Sequence, residues 1–200
     1  MKPIMLLMLG LFALPAVAEE SVVIDEKLVA GDTGIEKPSL ESLEKATRES
    51  VMRGGRVSPR QQYELDRANL AEANKQTGEH FLAVNQARRG VVTLPSGVQY
   101  RIVRNAKGSR RPSDASHIVC KYQGTLIDGT TFENTASGQT ETFAVAGLVP
   151  GLREAVKLMG EGARWQIVVP PRLGYGEQGN RIVSPNAVLI YDFELAAIKG

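Results

Sequence analysis

Sulfur and imidazole are scarce in this chain of 200 residues. The one cysteine, Cys120, has no partner for an internal disulfide, so packing must hold the fold. Cys120 with two histidines, His80 and His117, cannot build a tetrahedral zinc site. In His117-x-x-Cys120 the two side chains fall on opposite faces of a strand, and both read as ordinary strand residues. Serine hydrolysis lacks a base, because His80 belongs to a charged helical stretch. No acidic pair stands in a recognisable setting for glycoside cleavage. Gly174-Tyr175-Gly176-Glu177-Gln178-Gly179 fits the spacing of a dinucleotide loop, but Pro170-Pro171 ends the strand before it and Pro185 follows closely. No helix is then available to receive a pyrophosphate. Excess charge is missing as well: 24 basic residues face 22 acidic ones, which argues against a nucleic-acid surface. The apolar run from Ile4 to Leu14 is too short to span a bilayer.

That run has a different meaning. Lys2 precedes it, and Pro15 and Ala16-Val17-Ala18 follow. A positive start, a short apolar centre and an A-x-A end predict a signal peptide over residues 1–18, cleaved after Ala18. Cleavage removes one lysine and no acid, leaving 23 basic against 22 acidic residues and a net charge of +1. No cysteine follows the cleavage point for lipid attachment. The expected location is the periplasm, with association at the outer membrane left open.

Residues 19–37 show no period. Helix signals begin at Pro38-Ser39, with Leu40, Leu43, Thr47 and Val51 along one face and Gly54-Gly55 as the stop. Ser58-Pro59-Arg60-Gln61 opens a second helix through a capping box with proline at its first position. From there to Ala87 the chain predicts a helix of about 43 Å. Tyr63, Leu70, Thr77 and Val84 recur every seven residues, a thin stripe that Gly78 weakens. Residues 19–90 therefore read as a helical arm, either a solvated spacer or a dimerisation region.

After Arg88-Arg89-Gly90 the period changes to alternation. Strands are expected at Val98–Val103, through Ile118, Cys120 and Tyr122, around Phe143 and Val145, and at 163–169 and 187–198. Asp128-Gly129 predicts a hairpin, and residues 151–158 predict one short helix stopped by Gly160 and Gly162. Many strands and one helix over residues 91–200 indicate an α+β domain, an antiparallel sheet wrapped around that helix.

Tyr122, Phe132, Phe143, Tyr175 and Tyr191 lie beside turns or on strands, and their surroundings are specific. Tyr122-x-Gly124-x-Leu126-x-Asp128-Gly129-x-x-Phe132 resembles the first signature of the FKBP-type peptidyl-prolyl isomerases. Val149-Pro150-Gly151 with Glu154-Ala155 is similar to the turn and helix under that family's pocket. Pro170-Pro171, Leu173, Tyr175-Gly176, Pro185-Asn186-Ala187 and Glu194-Leu195 follow in the family's order. The helical arm, Leu94-Pro95-Ser96-Gly97 and Trp165 resemble the exported branch that includes Mip and FkpA.

The resemblance implies an FKBP-like fold and an X-Pro isomerase with no cofactor and no metal. Proline-containing or unfolded polypeptides are its implied substrates and a macrolide its implied drug ligand, with a homodimer through the N-terminal helices. By the same resemblance Tyr122, Phe132, Glu133 and Tyr175 are catalytic, and Phe143, Leu148, Val149, Leu152, Ile182 and Tyr191 bind the substrate. The Val149 N–H and the Tyr175 hydroxyl would hold substrate carbonyls. Three residues depart from the family: Leu152 replaces a tryptophan on the pocket floor, Glu133 an aspartate, and Gly174 an alanine, the last expected to loosen the loop before Tyr175. A catalytically weak chaperone on the same fold is the alternative reading.

Overall fold

A computed structural model describes residues 39–199, apart from 53, 55 and 109. The signal peptide expected over residues 1–18 lies outside them.

The first helix, α1 (Leu40–Met52), packs on the second, α2 (Pro59–Gln86). The start of α2 is the predicted capping box: the Gln61 N–H donates to Ser58 Oγ at 3.2 Å, and Gln61 Oε1 accepts the Ser58 N–H at 3.0 Å. Two donors that would otherwise lack a partner at the helix end are thereby satisfied.

Seven strands follow: β1 (Val91–Thr93), β2 (Gln99–Arg104), β3 (His117–Thr125), β4 (Thr131–Asn134), β5 (Glu141–Ala144), β6 (Arg164–Val169) and β7 (Leu189–Lys199). They form one antiparallel sheet in the order β1-β2-β6-β7-β3-β4, with β5 also paired to β3. The third helix, α3 (Pro150–Val156), joins β5 to β6 and buries Leu152, Ala155 and Val156 against the sheet. Its start is tight, for a Cβ on Gly151 would come 2.6 Å from Val169 Cγ1.

Alternation sets the core. Leu189, Tyr191, Phe193 and Leu195 share the buried face of β7 and meet Ile118, Val145, Val156, Met159 and Ile167. Burial pushes the Cys120 thiol up to about 12, with Glu141 adding to the effect, so this thiol stays protonated within the core. Trp165 stacks on Tyr100 with ring centres 4.3 Å apart.

Two local expectations change. Val145 belongs to a 3-10 turn (Val145–Gly147) and not to β5, because its carbonyl accepts the Leu148 N–H at 3.2 Å and the chain turns there. The short strand β1 had no period to reveal it, and exists by pairing with β2.

The larger correction concerns α2. Tyr63, Leu70, Thr77 and Val84 are all exposed, the last three along an open groove beside the domain. Another stripe touches the sheet domain, and it carries small and polar residues. Gly78 is buried, and a Cβ there would stand 2.9 Å from Val188 Cγ2. Asn85 Nδ2 donates to Gln99 Oε1 at 2.8 Å, and Gln99 Nε2 donates to the Leu82 carbonyl at 2.9 Å, with Asn85 and Gln99 both buried. The C-terminal half of α2 is therefore docked along the domain, which overturns the solvated spacer for that half. Gly78 is a point of close approach between the helix and the domain.

Candidate functional site

Residues from β3, β4, β5, α3, β7 and the loop after β6 converge on one cavity of about 130 Å³. Its walls are Tyr122, Glu133, Phe143, Gly147, Leu148, Val149, Leu152, Tyr175, Tyr191 and Phe193. A cavity of about 150 Å³ takes one benzene molecule. This one has room for a single five-membered ring.

The sheet register places the rings. Tyr122 on β3 stands opposite Phe193 on β7, and Gly124 stands opposite Tyr191. Tyr122 meets Phe143 edge-on, with centres 5.7 Å apart and planes at 71°. Phe132 meets Tyr191 at 5.7 Å and 82°. Gly124 is required here, since a Cβ would fall 2.6 Å from Phe132 Cζ. Edge-to-face pairs of this kind add about 0.5–1.5 kcal/mol beyond burial and fix the walls in place.

Eight of the residues singled out from sequence line the cavity: Tyr122, Glu133, Phe143, Leu148, Val149, Leu152, Tyr175 and Tyr191. Phe132 lies behind the wall and supports Tyr191. Ile182 does not reach the cavity; it is 69% exposed on the loop between β6 and β7. Asn180 Oδ1 accepts the N–H groups of Ile182 and Val183 at 2.8 and 2.6 Å. Val183 takes the buried place and Ile182 is turned outward. Sequence reasoning missed Phe193 and Gly147. Phe193 could have been found from alternation, two residues beyond Tyr191 on the same face of β7.

Electrostatics favour uncharged walls. Burial raises the Glu133 carboxyl above its ordinary range, and nearby Glu141 raises it further. Tyr122, Tyr175 and Tyr191 are all raised, chiefly by burial and next by Glu133, so each keeps its proton as a hydrogen-bond donor. The Val149 N–H, at the start of α3, takes no backbone acceptor among the described residues.

Gly174, next to Tyr175, fits a close approach and is not a loosening substitution. A Cβ there would come 2.9 Å from Leu189 Cδ1. Gly176, at φ +63°, donates to the Pro171 carbonyl at 2.9 Å and turns the chain directly after Tyr175.

A second, larger cavity of about 550 Å³ lies between α2 and the domain. Leu70, Phe81 and Val84 line its helical side, and Leu126, Ile127 and Val188 face them.

Solved structures share this arrangement. FkpA from Escherichia coli superposes with a TM-score of 0.64 at 27% identity, covering 83% of this chain and 84% of that one. A peptidyl-prolyl cis-trans isomerase from Pseudomonas syringae gives 0.61 at 27% identity, covering 65% and 96%. An antiparallel sheet closed on one short helix, with a ring-walled cavity between them, thus defines an FKBP-type domain. Two family models match in tandem: the domain amino-terminal to FKBP-type peptidyl-prolyl isomerases over residues 27–102, and the FKBP-type isomerase domain over 108–196. The chain belongs to the FKBP-type peptidyl-prolyl cis-trans isomerase family. The outer membrane protein MIP of Legionella longbeachae is 40% identical over 131 residues, which are 64% of this chain and 56% of that protein. A probable FkpA of Neisseria meningitidis is 40% identical over 130 residues, 64% and 47% of the two chains. The chain spans about half the length of the curated relatives it matches.

Proposed function

We propose that this protein accelerates cis–trans rotation about X-Pro bonds in exported polypeptides and so assists their folding. The observation that supports this is the 130 Å³ cavity, with five aromatic and aliphatic walls from Tyr122, Phe143, Leu152, Tyr191 and Phe193 and polar donors at its edge.

An X-Pro bond resists rotation because its amide is conjugated, with a barrier of about 18–20 kcal/mol. Rotation alone then takes tens to hundreds of seconds and limits folding. No bond is made or broken, so no nucleophile is needed. The protein must bind the twisted amide better than either planar form. Twisting removes conjugation and leaves a less polar carbonyl and nitrogen, which an apolar cavity favours. The proline ring occupies the cavity over Leu152, and Tyr122, Phe143 and Tyr191 restrict its tilt. The Tyr175 hydroxyl and the Val149 N–H hold the flanking carbonyls, so that only the central bond turns. Glu133, its carboxyl held above the ordinary range by burial and then by Glu141, lies beside the rotating carbonyl.

Residues 91–200 form the isomerase domain in this reading, and residues 19–90 the helical region. Exposed apolar side chains on the arm, Val51, Met52 and Tyr63, support a homodimer through it. The names of the relatives, one an outer membrane protein, support export to the periplasm or the outer membrane. A macrolide would enter the same cavity over Leu152.

A chaperone with weak catalysis is favoured by one observation, the 550 Å³ apolar groove beside α2, whose size suits an extended unfolded segment. Turnover of a short X-Pro peptide by the mature protein, compared with its Tyr175→Phe and Leu152→Trp variants, separates the readings. Measurable turnover that drops about fivefold in Tyr175→Phe, the worth of one neutral hydrogen bond, is the expected result. A native chain that is silent while Leu152→Trp is active would establish the binding module. Silence from all three folded proteins would overturn the isomerase.

A further inference from the structure

The loop between β6 and β7 carries Tyr175 at its beginning, and α2 holds that loop from outside. Three side-chain bonds cross the gap. Arg67 Nη2 donates to the Gln178 carbonyl at 2.7 Å, and Asn74 Nδ2 donates to the Pro185 carbonyl at 2.8 Å. In return, Asn186 Nδ2 donates to the Ala71 carbonyl at 3.2 Å. Gly78 brings the helix into contact with Val188 at the end of the same loop.

Two of the bonds end on loop carbonyls and the third ties the Asn186 side chain to the helix backbone, so the helix grips both the course of the loop and Asn186 itself. The grip reaches the cavity in two steps. Asn186 donates its own N–H to the Gly176 carbonyl at 2.9 Å, and Gly176 adjoins Tyr175. The Gly179 N–H closes on the Tyr175 carbonyl at 3.1 Å, one residue beyond the Gln178 that Arg67 holds. Asn186 adopts φ +54° and is the one non-glycine residue with positive φ among those described. Asparagine tolerates that conformation, but at a cost in backbone strain that its surroundings must offset.

We propose that α2 braces the loop of residues 174–188, and that Asn74 and Asn186 are positioning residues that aim the Tyr175 hydroxyl into the cavity. This rests on the isomerase reading above. The helical arm then sets the geometry of the site. An event that moves the arm would change turnover without touching the cavity walls.

Asn74→Ala and Asn186→Gly test this in the full mature protein. Glycine at 186 keeps the left-handed backbone while deleting the side-chain bond. Each variant is expected to lower kcat/KM about threefold to tenfold, the worth of one lost neutral hydrogen bond, with the melting temperature almost unchanged. In a Tyr175→Phe background the same substitutions should have no further effect, because the hydroxyl they aim is gone. Losses that multiply with Tyr175→Phe, or unchanged kcat/KM in both variants, would overturn the proposal.

A second measurement does not need turnover. Hydrogen exchange of the Gly176 and Gly179 amides should quicken about tenfold in Asn74→Ala while amides of β3 and β7 keep their rates. If the native protein proves silent, the isomerase reading falls and exchange alone judges the brace. Unchanged rates at both glycines would then overturn it too.

Discussion

The cavity and the seam between α2 and the domain are built from opposite materials. Large rings wall the cavity, placed by alternation along β3 and β7 and locked by edge-to-face contacts. Glycine, asparagine, glutamine and arginine make the seam, and most of their bonds end on backbone carbonyls. The cavity gains stability by removing apolar area from water, at about 25 cal/mol per Å². The seam gains little from area and much from direction, since a buried amide left without a partner costs about 1–3 kcal/mol. Burial supports a pocket that must stay dry, and directed bonds set the course of a loop.

The sharpest way to break this contrast is at Tyr191, whose ring is both core and cavity wall. Tyr191→Ala is expected to destabilise the protein by about 3–5 kcal/mol in urea unfolding, the usual loss for a buried ring. A loss of about 1 kcal/mol or less would show the cavity to be an appendage of the core.

The seam should lose less. Asn85→Ala leaves Gln99 Oε1 buried without its donor and is expected to cost about 1–3 kcal/mol by the same measurement. Thr77→Ala, at an exposed position of the same helix, is expected to stay within about 0.5 kcal/mol. Equal effects at the two positions would mean that α2 is not docked as described.

The smallest effect expected is a dependence on pH. Glu133 has its folded-state pKa raised from 4.5 by burial and by Glu141. The folded form therefore holds the proton more tightly than the unfolded chain does. Its contribution to stability is fully present below the unfolded value and is lost as pH rises through the folded one. Glu133→Gln should flatten that decline, so its stability relative to the native protein rises with pH across the window. A constant difference from pH 4 to pH 8, followed by urea unfolding, would exclude this role for burial at Glu133.

Much of the cavity was legible in advance because its chemistry leaves a pattern. Rings beside glycine turns, and strands alternating with period two, marked Tyr122, Phe143, Tyr175 and Tyr191. The order of short strings then tied them together. Ile182 misled because the turn centred on Asn180 decides which of two adjacent aliphatic residues goes inward. Gly174 and Gly78 misled in a related way. A missing side chain reads as looseness in one dimension, yet each of these glycines marks contact with a residue that is remote in sequence or on another element.

The sequence by itself determined the elements of this protein: the Ser58 capping box, the strand periods, the antiparallel sheet around one helix, and the family. Those features depend on neighbours a few residues apart, whose spacing a linear chain displays. Only the tertiary structure decided which stripe of α2 is buried. The heptad of Tyr63, Leu70, Thr77 and Val84 is the more apolar one, yet the stripe through Ala71, Asn74, Gly78 and Asn85 docks. Its partners, Pro185 and Asn186, lie 111 and 115 residues away from the α2 residues they bond. Bonds to backbone carbonyls place few demands on residue type, so no local pattern announces them.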